Sequence, residues 1–377
     1  MKKQQEQTSY DVEQKVKATL AGLAKVEPET PVLLMVSGGS DSVALAYIAA
    51  TLHEQGVLGP LAMLHVNHQL REDASEQDQL FVEALSELLD IPLFTCRIDI
   101  AGMVKAEKGN MEAIARRERY IAATDALQSM CAHYGLPSNE GCIFVAHTQN
   151  DSVENFYMRS IVGTGPGGFR AMRYTSEQVV RPLLDVSRRS LRRYIQARAE
   201  AGLPCVKLQT GELWCEDATN NDTDYFRSYV RHVMVPAAEE RNPQLLDTLC
   251  RSMNLIADED DFLEELAQKA AHSCVEWLEC LPGRKPAYED GFLLLPETGK
   301  KRIPIRRRII IHALKAMLGP DARIESETVE AVLAAFSADG AIVSGYVTNI
   351  QGNLAVSANK HGVRVEPMAY FRARRKK

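Results

Sequence analysis

Between residues 37 and 42 the chain reads Ser-Gly-Gly-Ser-Asp-Ser. Gly38 and Gly39 let the backbone come close to an anion, and Ser37, Ser40 and Ser42 supply hydroxyl donors. The apolar run Val32–Val36 before this loop suits a strand covered on both faces, and the series from Val43 to Ile48 after it reads as a helix. Strand, loop and helix in that order set a nest of N–H groups and the positive end of a helix around bound phosphate. The loop contains no lysine, so it is not the lysine-bearing loop that grips β and γ phosphates. The plain alternative is an ordinary glycine turn.

Further polar constellations follow. His65-Val66-Asn67-His68 stands at the end of an apolar run. A strand puts residues three apart on opposite faces, which argues against metal ligation and for a polar group beside a nucleotide base. Glu112, Arg116, Arg119 and Tyr120 share one face of a helix, where two arginines could neutralise phosphate or form a surface ladder with glutamates. In Ala146-His147-Thr148-Gln149-Asn150-Asp151-Ser152-Val153-Glu154, Asp151 and Glu154 lie on adjacent turns where a helix begins. They could hold Mg²⁺ or the ammonium groups of an amino acid, or simply complement the helix dipole.

Regular elements must position these groups. Strands are expected at 32–36, 61–66, 93–98 and 142–146, with helices at 42–54, 76–89 and 111–133 between them and another over Asp11 to Ala24. That alternation predicts an α/β fold, a parallel sheet with helices on both faces, whose ligands bind at the carboxyl ends of the strands. Gly163-Thr164-Gly165-Pro166-Gly167-Gly168 reads as an irregular, substrate-shaped loop. A helical region follows Pro236, and then a small α+β region with a helix near 325–336 and a hairpin turning at Gln351-Gly352-Asn353. The expected divisions are a catalytic domain over 1–235, a helical linker over 236–285 and a C-terminal domain over 286–377.

With 377 residues, 45% hydrophobic and 25% charged, the chain is expected to be globular and multidomain. No apolar run approaches a membrane span and the first residues lack a signal-peptide core, so a cytoplasmic protein without membrane partners is expected. The eight cysteines include no CxxC pair, which gives no zinc ribbon or iron–sulfur scaffold. The net charge of −6 hides basic clusters at Arg188–Arg198, Lys300–Arg308 and Arg372–Lys377. An acidic chain can still turn a basic face to RNA, and Arg188, Arg192, Arg302 and Arg306 are the candidates for that face.

The loop at Ser37–Ser42, His65-Val66-Asn67-His68, Glu112-x-x-Ala115-Arg116-x-x-Arg119-Tyr120 and Ala146-His147-x-x-Asn150-Asp151-x-x-Glu154 occur together and in order. Gly163-Thr164-Gly165-x-x-Gly168-Phe169, Arg181-Pro182-Leu183-Leu184 and Asp217-x-Thr219-Asn220-x-Asp222 continue the series. This set resembles the tRNA(Ile)-lysidine synthetases, ligases among the PP-loop ATP-pyrophosphatases, over about residues 30–265. The resemblance implies ATP with its phosphates on Ser37, Gly38, Gly39, Ser40, Asp41 and Ser42 and its base near His65 and Asn67. It implies Mg²⁺ near Asp41, Arg116 stabilising developing charge, and Asp151 and Glu154 positioning L-lysine, with Asp41, Arg116 and Asp151 as the catalytic set. The partner it implies is an isoleucine tRNA with a CAU anticodon, bound by a monomer or homodimer.

The chain departs from that pattern at Asn150, where an aspartate is frequent, at Val162, where an arginine is, and within Arg227-Ser228-Tyr229-Val230-Arg231. A 2-thiocytidine-type sulfur transferase shares the loop but needs cysteine pairs this chain lacks. Amide-forming relatives that make NAD or GMP would need an ammonia source and lack the later motifs. A catalytically dead tRNA-binding relative is the remaining alternative, and the intact loop and carboxylates argue against it.

Overall fold

The computed structural model describes residues 2–69, 72–216, 225–279, 288–320 and 322–375. The Asp217–Asp222 motif, Cys280 and the last two basic residues of the tail lie outside them. Two compact units, Met1–Asn254 and Leu255–Lys377, divide the chain. The division falls within the helix Leu245–Cys274, so the stretch expected as a separate linker is split between them.

The first unit is built on the expected sheet. Strands β1 (Val32–Met35), β2 (Leu61–Asn67), β3 (Leu93–Arg97) and β4 (Cys142–Phe144) pair in parallel. A short antiparallel ribbon, β5 (Thr175–Ser176) and β6 (Val179–Val180), extends the sheet to the order β3-β2-β1-β4-β6-β5. These two-residue strands have no hydrophobic period of their own, so sequence alone gives no sign of them.

Side chains of the central strands alternate between two apolar layers. Val32, Leu34, Val36, Leu61, Met63 and Phe144 face the layer formed with helices α1 (Lys2–Ala21), α2 (Ser40–Glu54) and α3 (Glu72–Leu89). Leu33, Ala62, Leu64, Ile143 and Val145 face the other layer, where Ala123, Leu127 and Met130 pack below. Burial on both faces explains why these strands read as continuous apolar runs. Helix α4 (Ile100–Glu107) has no counterpart among the helices expected from sequence. It is capped by Asp99, whose carboxylate accepts the Gly102 N–H at 2.8 Å, and it leads into α5 (Met111–His133).

Downstream come α6 (Gln149–Val162) and α7 (Arg188–Glu200). The glycine segment before β5 is not wholly irregular, since Pro166–Phe169 forms a 3-10 turn. Helix α8 (Phe226–Tyr229) runs through a π turn at Val230–Met234 into α9 (Val235–Arg241), followed by α10 (Leu245–Cys274). Pro236 lacks the N–H that an unbroken α-helix would use, and a π turn is where such a register change is absorbed.

The second unit contains an antiparallel sheet in the order β7-β8-β11-β10-β9, from Val275–Trp277, Phe292–Leu294, Gly362–Pro367, Leu354–Asn359 and Val347–Ile350. The hairpin expected across Gln351-Gly352-Asn353 joins β9 to β10, and a second turn joins β10 to β11. Helices α11 (Pro296–Gly299), α12 (Ile303–Leu318) and α13 (Ser326–Leu333) belong to this unit, and α14 (Met368–Arg375) follows β11. Phe292, Ile310, Leu314, Val332 and Val363 are central to its core. A Cβ at Gly299 would collide with the Gly340 carbonyl oxygen, so two backbones touch there. Gly299→Ala is expected to destabilise the second unit by about 1–3 kcal/mol, the usual penalty for overpacking. Urea unfolding of the full chain would show it, and an unchanged profile would mean the Gly340 turn yields freely.

Candidate functional site

The loop after β1 has the shape an anion requires. Gly38 sits at φ +90°, a conformation that side chains with a Cβ rarely adopt, and a Cβ there would press on Cys215 Sγ at 3.3 Å. The Cys215 N–H donates to the Gly38 carbonyl at 2.9 Å, fixing the turn. Ser42 Oγ accepts the Ser37 N–H at 3.2 Å and donates to the Gly39 carbonyl at 3.0 Å. Gly39 caps α2, so the first N–H groups of that helix are left for a ligand.

The loop's own Asp41 joins two further carboxylates and three guanidiniums in one cluster. Asp41 accepts Arg188 Nε at 2.9 Å. Asp151 accepts the Thr148 N–H and hydroxyl at 2.8 and 2.7 Å on one oxygen, and Arg227 and Arg188 at 3.0 and 3.3 Å on the other. Glu154, 1% exposed, takes Arg231 at 2.8 and 3.0 Å, Arg227 at 3.0 Å and Arg188 at 3.2 Å. The cluster is formally neutral. Burial alone would raise the Asp151 carboxyl, but Arg188, Arg227 and the Thr148 donors hold it below the usual range. Burial pushes Asp41 the other way, above its usual range, and Arg188 offsets this only in part.

Local sequence explains the convergence. Thr148 and Asp151 cap α6, which turns Asp151 and Glu154 inward. Asn150 accepts the backbone N–H of Arg188 at 2.9 Å, tying the start of α7 to the start of α6. An amide oxygen suffices for that bond, so the departure at this position keeps the tie. Arg227 and Arg231, four apart, reach the same glutamate across the turn between α8 and α9. That i, i+4 spacing is the signal the sequence carries for these two site residues.

The structure shows contacts of several expected site residues that the sequence does not reveal. Arg188 is not an outlying RNA contact, because it bridges Asp41, Asp151 and Glu154 inside the crevice. Arg192 also borders the loop, with Nε 3.3 Å from Ser40 Oγ and its guanidinium over the Trp214 ring at 5.5 Å. Asn67 spends its amide on the turn into α3, donating to Ser75 and Gln79 and accepting the Gln69 N–H, so it shapes the rim of the crevice. Asp151 and Glu154 have every oxygen engaged by guanidinium or Thr148, and an ammonium could enter only by exchange. Arg302 and Arg306 belong to the second unit. Arg302 is exposed, whereas Arg306 donates to the Lys301 carbonyl at 2.7 Å. Its neighbours pair with acids, Lys300 with Glu297, Arg307 with Glu330 and Arg308 with Asp260. Half of that basic run, three of its six cations, is thus paired with acids of its own unit.

His65, Arg116 and the other histidines are placed as follows. The imidazole of His65 is buried at the end of β2, with Nδ1 2.9 Å from the Val36 carbonyl and Nε2 without a partner among the described residues. Arg116 on α5 lies over Tyr120 at 5.1 Å, and its charge reaches His147. Burial, with Arg119 and His65 nearby, lowers His68 to about 4. Burial likewise lowers His147 to about 4, with Arg181, Arg116 and Arg227 adding to the effect. Among the described residues no cluster of three acids, histidines or cysteines forms a protein-only metal cage. Asp41 fits the lesser demand of Mg²⁺ carried on phosphates, which takes one or two carboxylates from the protein.

A parallel sheet whose first strand passes through a Gly-Gly turn into a helix start, with acids and arginines at the strand ends, defines a nucleotide-binding α/β protein. More particularly, residues 9–238 match the PP-loop domain, and the chain belongs to that family. It is 33% identical over 306 residues to tRNA(Ile)-lysidine synthase of Thermus thermophilus, covering 80% of this chain and 52% of the relative. It is 29% identical to the synthase of Geobacter sulfurreducens, over 84% of this chain and 62% of the relative. The chain thus spans roughly half to three-fifths of these relatives' length. Among solved structures it is similar to the U34-tRNA thiolase NcsA from Methanococcus maripaludis, with 16% identity, a TM-score of 0.48 and coverage of 67% and 80% of the two chains. No helix among the described residues is long and apolar enough to cross a membrane.

The buried charges set measurable costs. Glu154→Gln removes the acid that Arg231 grips twice, leaves Arg188, Arg227 and Arg231 with one buried charge fewer to match them, and is expected to cost about 3–5 kcal/mol in urea unfolding. Arg307→Ala, which removes an exposed pair, should stay within about 1 kcal/mol. His68 and His147 have folded values of about 4 against an ordinary 6.5. Their contribution is present above the unfolded value and is lost as pH falls from there through the folded value. Each adds a slope of up to about 1.4 kcal/mol per pH unit in that window, and His68→Gln should flatten the measured slope by one such share.

Proposed function

We propose that this protein is a tRNA(Ile)-lysidine synthetase. It would join L-lysine through its ε-nitrogen to C2 of the wobble cytidine of a CAU-anticodon isoleucine tRNA at the expense of ATP. The observation that carries the proposal is the cluster in which Arg188 links Asp41 of the Ser37–Ser42 loop to Asp151 and Glu154, in a family that uses such loops for pyrophosphate. The names of the relatives support the choice of RNA and amino acid.

On this reading the loop N–H groups and Ser37, Ser40 and Ser42 hold the triphosphate, and the adenine lies toward His65. The C2 oxygen of the cytidine attacks the α-phosphorus, pyrophosphate leaves and the base is adenylated. The neutral ε-amine then adds at C2, and AMP departs with the C2 oxygen. Bound Mg²⁺ would neutralise phosphate charge beside Asp41. Arg116 stabilises charge developing on the base or phosphate.

Asp151 and Glu154 orient lysine by charge once a guanidinium gives way. Arg188 is the one to yield, because it gives each acid a single bond of 3.2–3.3 Å while Arg231 grips Glu154 twice. Its release has a natural recipient in the phosphates that arrive next to Asp41.

The test incubates the protein with labelled lysine, ATP and a CAU-anticodon isoleucine tRNA transcript. Label is expected in RNA, with AMP and pyrophosphate formed only when tRNA is present. Asp41→Asn should remove product formation while urea stability stays close to wild type. Label appearing equally in a transcript with another anticodon, or no label at all, would refute the assignment.

A further inference from the structure

The Ser37–Ser42 loop lacks the lysine with which other phosphate loops meet the β and γ phosphates, so positive charge for a triphosphate has to come from elsewhere. Two guanidiniums of α7 reach the loop, Arg188 at Asp41 and Arg192 at Ser40. They stand four apart and so share one face of the helix. Arg188 is divided among three carboxylates and brings no surplus charge.

Arg192 is held differently. Its Nε lies 3.3 Å from the hydroxyl of Ser40, the first residue of α2, and its guanidinium lies over the Trp214 ring at 5.5 Å. Its acid is Glu216 at 3.6 Å, and the two side chains are 45% and 62% exposed. An ion pair that long and that exposed contributes little, so exchanging it for phosphate costs little. The Cys215 N–H donates to the Gly38 carbonyl at 2.9 Å, and the Trp214 indole N–H donates to Glu216 at 3.4 Å. The stretch Trp214–Glu216 is thus pinned to the loop and keeps the guanidinium at its edge. A guanidinium has five N–H donors, so the contact from Nε to Ser40 leaves others for phosphate oxygens.

Position on α7 decides which phosphates Arg192 meets. Lysine at Asp151 and Glu154 must reach C2 of the base, so the base approaches the α-phosphorus from the side of those acids. Attacking and leaving oxygens stand roughly in line, and pyrophosphate therefore departs on the side away from them. Arg188 contacts both acids, whereas Arg192, about 6 Å further along the helix, has its contacts at Ser40, Trp214 and Glu216. We infer that Arg192 binds the β and γ phosphates of ATP and neutralises the departing pyrophosphate, taking the part of the missing loop lysine rather than contacting RNA. The inference rests on the adenylation chemistry proposed above.

The test measures binding of ATP to the full chain by equilibrium dialysis, with Mg²⁺ present and tRNA and lysine left out, and repeats it with AMP and with pyrophosphate. Arg192→Gln is expected to weaken ATP and pyrophosphate binding about tenfold or more, the usual effect of losing a charge-assisted contact. AMP carries neither of the phosphates concerned, and its affinity should change by less than about twofold, which also shows that the variant's site is intact. Arg192→Lys keeps the charge but not the planar fork, and should recover part of the loss. An ATP affinity unchanged in Arg192→Gln would overturn the inference alone, and weakened binding of an anticodon stem–loop RNA beside it would return the residue to RNA. Equal losses for ATP and AMP would also overturn it, assigning Arg192 to the shape of the loop. A wild-type chain that binds no ATP would remove the proposed function and the inference together.

Discussion

The crevice depends on one constraint: a carboxylate buried as deeply as Glu154 must be matched by cations in contact with it. Arg188, Arg227 and Arg231 meet that demand from two separate stretches of chain, and Asp151 and Asp41 balance them in turn. The start of α6, the start of α7 and the turn between α8 and α9 are therefore held in register by the same charges. Removing one member leaves another unpaired in a region largely closed to water, so the arrangement behaves as a unit. Stability and function are consequently entangled at Glu154. Among the described residues Asp41 has a single ion pair, to Arg188, beside a bond from the Ser40 hydroxyl at 3.3 Å, and can be altered at less cost to the fold.

The sheet supplies what that unit cannot. β1 ends at Met35, and within a few residues Gly38 turns the backbone so that α2 can begin with its N–H groups unfilled. The strand is apolar on both sides and so has no freedom to slip its register without exposing one layer. A rigid strand end, a glycine turn and a helix start form a frame suited to an anion, and the acids across the crevice are already neutralised. Approaching phosphate therefore does not meet three bare negative charges.

How much of this is legible in the sequence depends on the range of each signal. β1 to β4 and α2, α3 and α5 announce themselves through local apolar periodicity, and their observed bounds differ from the expected ones by only a few residues. β5, β6, β7 and β8 are two or three residues long and exist because a neighbouring strand is already in place. Arg188 shows the limit most clearly. In sequence it is one of a basic run on an amphipathic helix, like Arg192 and Arg193. Only the bond from its N–H to Asn150, thirty-eight positions away, turns it toward the acids. The run at Lys300–Arg308 shows the converse limit, because the acids that pair with three of its members, Glu297, Glu330 and Asp260, lie on other elements or turns.

A neutral cluster also bears on the order of events in the proposed reaction. ATP brings net negative charge to the loop beside Asp41, and lysine brings net positive charge to Asp151 and Glu154. Added alone, lysine would have to displace a guanidinium and leave it buried with no counterion. Added after the nucleotide, it frees Arg188 toward phosphate, and each charge keeps a partner throughout. The two ligands are then coupled through one side chain, and the coupling is reciprocal, since each raises the affinity of the site for the other by the same factor. The geometry of Arg188, with one donor on Asp41 and one on each of Asp151 and Glu154, is what a link between the two proposed substrate sites requires.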